Sequence, residues 1–97
     1  MRAGDFAFDH TGLTFQGQPV KLTPHERELV GALMHARGSI VSHDAILNRL
    51  GSDAMPGIIS VHATNARRAL RVSGAPDPIK AVYGQGLRWA GPAPVVS

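Results

Sequence analysis

The run Thr23-Pro24-His25-Glu26 constrains this chain more than any other segment. A threonine hydroxyl accepts a backbone N–H at the start of a helix, and proline's fixed φ suits the first helical position. A glutamate three residues later returns a hydrogen bond to the threonine's own N–H. Leu29, Val30, Leu33 and Met34 then form one apolar stripe at helical spacing. His35 and Arg37 fall in the last turn and Gly38 supplies the stop. A helix is therefore anchored in the first half of the chain, and its neighbours must bury that stripe.

Upstream, Phe6-Ala7-Phe8, Leu13-Thr14-Phe15 and Val20-Lys21-Leu22 read as short strands. The turn formers Asp9-His10-Thr11-Gly12 and Gln16-Gly17-Gln18-Pro19 separate them, which predicts a small antiparallel sheet. Downstream, Ser39-Ile40-Val41 is a short β-like piece. Ser42 caps a second helix with Ile46, Leu47 and Leu50 facing inward, closed by Gly51. Residues Gly51 to Gly57 show no periodicity and read as a loop. A third helix is predicted from about Ile58 to Val72, with Ile59, Ala63, Ala66 and Leu70 as its buried stripe. Ser60, Thr64, Arg67 and Arg71 lie at the same offsets on another face, flanked by Arg68. Ser73 to Pro78 breaks the helix. Ile79 to Val82 and Leu87 to Trp89 then form a hairpin around Tyr83-Gly84-Gln85-Gly86, and the Pro-rich tail 91–97 is expected to be flexible.

Ninety-seven residues support one hydrophobic core, so 1–97 is expected to be a single domain with its core at about 6–89. A hydrophobic share of 43% with mixed charges excludes a disordered polar tract. No run approaches the roughly 18 apolar residues of a membrane span. Met1 to Phe8 carries Asp5 and no long apolar stretch, unlike a signal peptide. The chain has no cysteine, which excludes disulfides and thiolate metal sites and is compatible with a cytoplasmic location. His25, His35 and His43 show no metal-site spacing, so no metal or cofactor is expected. His62 reads as half-buried. No nucleophile, base and orienter can be assembled, so an enzyme is not expected. The net charge is only +3, yet eight of the ten cations are arginine, whose planar fork suits phosphate and guanine. Arg67, Arg68 and Arg71 cluster without an acidic neighbour, which points towards nucleic acid.

The order of strands, three helices and a Gly-turned hairpin is that of a winged helix-turn-helix, an α+β fold. The chain resembles the C-terminal effector domains of OmpR/PhoB-type response regulators over roughly Phe6 to Trp89. Leu22-Thr23 with Glu26 is similar to the family's L-T-x-x-E, and Gly38 to Ser42 to its G-x-x-[VF]-S connection. Ser60-Val61-His62 with Arg67-Arg68-Ala69-Leu70 is similar to its D-V-H-[IV]-x-x-L-R-x-K-[IL] recognition helix. Ile79 to Trp89 is similar to its I-x-T-V-R-G-x-G-Y-R-[FL] wing. The resemblance implies a bacterial transcription regulator that binds double-stranded DNA, with the third helix in the major groove and the hairpin at the adjacent minor groove.

Carried over residue by residue, Thr64, Asn65 and Arg67 would read the major groove and Arg68 and Arg71 would hold phosphates. Tyr83 and Gln85 would approach the minor groove. Asp53, Ala54 and Met55 fall in the loop that meets RNA polymerase in some relatives. Thr64, Asn65 and Tyr83 stand where the family frequently has arginine, Gly57 where many members have one, and Ala81 where threonine is common. Fewer cations imply weaker nonspecific affinity and a shallower salt dependence. The family's receiver domain does not lie within these residues, as in an excised effector domain or a single-domain protein regulated otherwise. Homodimeric or tandem binding is expected on DNA. The alternative from another class is an adaptor that binds RNA polymerase or another regulatory protein. An oligomerising module is a third.

Overall fold

In the computed structural model, which describes residues 1–51 and 56–95, Thr23 starts its helix as expected. Helix α1 spans Pro24–His35; the Thr23 hydroxyl accepts the Glu26 N–H, and the Glu26 carboxylate accepts the Thr23 N–H, both at 3.2 Å. The stop differs in detail. Arg37 as well as Gly38 adopts positive φ, so two residues rather than one reverse the chain. Nearly the whole of α1 is buried from Leu29 to Met34.

Four antiparallel strands precede α1, in the order β1 (Arg2–Ala3), β2 (Phe6–Asp9), β3 (Gly12–Phe15) and β4 (Gln18–Pro19). The last lies earlier than Val20–Leu22, where a strand was expected. Phe15 pairs with Gln18, so the connection is only Gln16-Gly17, with φ of 52° and 80°. Two positive φ values define a tight hairpin turn that puts the next residue straight into the sheet. Val20 still donates to the Leu13 carbonyl at 2.9 Å, after which the chain leaves to meet the Thr23 cap. Pro19 is tolerated because β4 is an edge strand. The β2–β3 turn is closed by Asp9, whose carboxylate accepts the Thr11 N–H and hydroxyl; these bonds hold its pKa below the ordinary carboxylate value.

The second sheet has the order β5-β7-β6, with β5 at Val41–Ser42, β6 at Ile79–Val82 and β7 at Gly86–Trp89. The β-like segment before the second helix is thus the third strand of the wing. Helix α2 covers His43–Leu50, capped by the Ser42 hydroxyl on the Ala45 N–H, and α3 covers Pro56–Val72. Both pack on α1, and an Arg49–Glu28 ion pair at 3.1 Å ties α2 to α1 at the surface. Trp89, 2% exposed, joins the two sheets by setting its ring edge-on to Phe6 at 5.3 Å.

The tail corrects an expectation. Trp89 Nε1 donates to the Pro92 carbonyl at 2.7 Å, Pro94 is buried, and Val95 exchanges backbone hydrogen bonds with Arg2. Through Val95 the tail is therefore bound to the sheet edge as a partner of β1 rather than frayed.

Gly86 opens β7 and pairs with Ser42 of β5. A Cβ there would lie 2.0 Å from the Val41 carbonyl oxygen, and its φ is +155°. Gly86→Ala is expected to destabilise the domain by about 2–4 kcal/mol, because backbone must move to admit the methyl. Thr23→Ala should cost only about 1 kcal/mol, the usual loss of an N-cap. Thermal unfolding followed by circular dichroism checks both, and a Gly86→Ala midpoint equal to the parent's would contradict the packing described.

Candidate nucleic-acid interface

Ile59, Ala63, Ala66 and Leu70 form the buried side of α3, each 7% exposed or less. Alanine at two of the four positions lets the helix axis approach α1 closely. The helix ends with Ala75 N–H on the Leu70 carbonyl and Gly74 N–H on that of Arg71, both at 3.0 Å. Those paired bonds satisfy two of the carbonyls that a helix C-terminus leaves open.

Fixing that buried side decides the opposite one. At about 100° per residue, the direction opposite the buried stripe is occupied by Gly57, Val61 and Arg68, with Thr64 and Arg71 on one flank and Asn65 on the other. Gly57, Val61, Thr64, Arg68 and Arg71 are all exposed, and Asn65 is half-buried. The outward face is thus centred on Val61 and Arg68 rather than on the Ser60–Thr64–Arg67–Arg71 stripe picked out in the sequence. Val61, 49% exposed, was missed. Projecting the helix from its alanines, rather than following the cations, would have found it.

Arg67 lies on the flank that meets the loop before β6. Its Nε donates to Asp77 Oδ2 at 2.6 Å, with the two side chains 38% and 29% exposed. The expected base reader therefore has one guanidinium nitrogen engaged by a carboxylate. On the other flank, Asn65 and Arg68 border a groove whose far wall carries Lys21 and Glu26. His62 is half-buried as expected, and its neighbour is the His25 ring of α1 in an edge-on contact at 5.1 Å. Among the described residues no group of three or more His, Cys, Asp or Glu is placed to hold a metal ion.

At the wing, the turn Tyr83-Gly84-Gln85 joins β6 to β7, and Gln85 N–H donates to the Val82 carbonyl at 3.0 Å. Tyr83 stands fully clear of the protein at 102% exposure, and Gln85 beside it is exposed. No carboxylate lies on α3 or in this turn. The loop residues Asp53, Ala54 and Met55 lie outside the described residues.

The described residues thus present a helix face without acidic side chains and an exposed, neutral hairpin tip. The family described as "Transcriptional regulatory protein, C terminal" matches residues 17–89, from the β3–β4 turn to the end of the wing. The chain belongs to this family. It is an effector domain of the OmpR/PhoB type, a class of transcription regulators and not of catalysts. The effector domain is 36% identical over 80 residues to the transcriptional regulatory protein BaeR of Escherichia coli O6:H1, covering 78% of this chain but 33% of BaeR. It therefore spans about a third of that relative's length. Its fold is shared with the AdeR DNA-binding domain solved with an intercistronic region, at TM-score 0.84 and 18% identity, covering 95% of this chain and 100% of that one. The RstA DNA-binding domain of Klebsiella pneumoniae, solved with the RstA box, matches at TM-score 0.77 and 24% identity over 93% and 95% of the two chains. The C-terminal domain of the nisin resistance regulator NsrR matches at TM-score 0.75 and 27% identity over 89% and 92%.

If the outward face contributes nothing to the core, Thr64→Ala, Arg68→Ala and Arg71→Ala should each shift stability by no more than about 0.5 kcal/mol. Ala66→Arg, which buries a charge against α1, should prevent folding. Urea titrations of the four variants check this, and a large loss at Arg68 would assign that side chain to packing.

Proposed function

We propose that the effector domain binds double-stranded DNA sequence-specifically in transcription regulation, with α3 in the major groove and the wing tip at the adjacent minor groove. The observation that carries this is the outward face of α3, where Val61, Thr64 and Arg68 stand clear on a helix of 17 residues with no acidic side chain. Such a helix is about 25 Å long, and a major groove about 12 Å wide accepts it. Val61 offers a methyl surface to thymine, Thr64 a short hydrogen-bonding group, and Asn65 a two-point match to adenine. Arg68 and Arg71 neutralise phosphates. Tyr83 and Gln85 supply a neutral tip, which trades electrostatic affinity for shape and hydrogen bonding.

Finer proposals follow. One recognition helix covers few base pairs, so two copies on tandem or paired half-sites supply tight binding. Contact with RNA polymerase through Asp53, Ala54 and Met55 belongs to the same proposal, as does work in the cytoplasm. No helix among the described residues is long and apolar enough to cross a membrane.

Binding to random duplex and to genomic fragments, measured as a function of salt, tests the proposal. Saturable, fragment-selective binding that tightens as salt falls is expected. Arg68→Ala should lower the slope of log affinity against log salt by about one, whereas Tyr83→Ala should weaken binding with the slope unchanged. Asn65→Ala should cost about 1–3 kcal/mol on the preferred fragment and less on others. Absence of binding at low salt would overturn the proposal and leave the adaptor alternative.

A further inference from the structure

We propose that Asp77 is a positioning residue that locks the recognition helix to the wing through Arg67, so that both DNA-facing parts are presented as one unit. The segment between them, Ser73 to Pro78, is neither helix nor strand. Asp77 spans it with both carboxylate oxygens, each used in a different direction. Oδ2 accepts Arg67 Nε on α3 at 2.6 Å, and Oδ1 accepts the N–H of Ile79, the first residue of β6, at 3.1 Å. Ile79 is in turn registered opposite Trp89, the buried anchor of β7. A single carboxylate therefore joins the middle of α3 to the base of the hairpin. Pro76 and Pro78 flank Asp77 and restrict the loop that carries it, with Pro78 buried.

The consequence is geometric. A helix in one groove and a hairpin at the next must keep a set separation, and side chains at Val61 and Tyr83 cannot enforce it, being exposed. Arg67 is held by the loop instead of standing on the outward face. Its contribution is then to the alignment of the two contact sites and not to phosphate neutralisation.

Only the affinity arm of the test rests on the DNA-binding proposal. Salt-dependent DNA binding and amide hydrogen exchange of the free protein would be measured for Arg67→Ala, Asp77→Ala, the double variant and Arg67→Lys. Each alanine variant should weaken binding about two- to fivefold, the range of a half-exposed ion pair. The double variant should be no weaker than the worse single one. The salt slope should stay at the parent's value, and Arg67→Lys should recover part of the loss. In the free protein, Ile79 and the β6–β7 amides should exchange faster in Arg67→Ala, although that substitution touches no atom of the wing. Binding by Asp77→Ala as tight as the parent's or tighter, with Arg67→Ala reducing the slope by about one, would overturn the proposal and make Arg67 a DNA contact that Asp77 restrains. Unchanged wing exchange in Arg67→Ala would overturn it as well. A parent protein that binds no DNA would sink only the previous proposal, since exchange still decides this one.

Discussion

Every other element takes its place from the burial of α1. Leu29, Val30, Leu33 and Met34 are at most 0% exposed, and each large side chain so removed from water is worth about 1.5–3 kcal/mol. Helices α2 and α3 and strand β7 all pack against this helix. Its N-terminal end is closed by the Thr23–Glu26 box, so its start is set by local hydrogen bonds. A shift of one residue in that start would turn the stripe by about 100° and leave α3 without a floor.

From that floor the interface follows by exclusion. The small residues Ala63 and Ala66 bring α3 close to α1 and spend its inner surface entirely on packing. What remains outward is a mixed face of Val61, Thr64 and Arg68, with one cation at its centre and one, Arg71, on a flank. The wing tip is likewise neutral at Tyr83 and Gln85. Bound to DNA as proposed, an effector domain built this way would draw less on counterion release than one with arginine at Thr64, Asn65 and Tyr83, and correspondingly more on fit. Fit depends on the separation of helix and hairpin, which is why a carboxylate in the connecting loop matters more here than its partial exposure suggests.

Much of the architecture was legible because its signals are local. Capping chemistry, a 3.6-residue apolar period and Gly-containing turns act within a few residues, and α1, α2, α3 and the wing hairpin emerged close to their observed bounds. The misses share the opposite property. Strand β1 is two residues long and gains its stability from β2 and from Val95 at the far end of the chain. The pairing of Val41–Ser42 with β7 joins segments separated by α2 and α3. Strand β4 was displaced because the positive φ of Gln16, a non-glycine, carries no composition signal. The exposed surface was half legible: motif position points to Thr64, Arg68, Arg71, Tyr83 and Gln85, all of which stand exposed, whereas the exposure of Val61 carries no signal of charge or polarity.

By itself the sequence determined the periods, the caps and the Gly-containing turns, since each is a property of neighbouring residues and of backbone sterics. The buried stripe of α3 was legible from its spacing as well. Only the tertiary structure decided that Arg67 meets Asp77. That pair spans a helix end and a proline-bounded loop, and two charges ten residues apart become partners only when packing on α1 has set the angle between helix and wing.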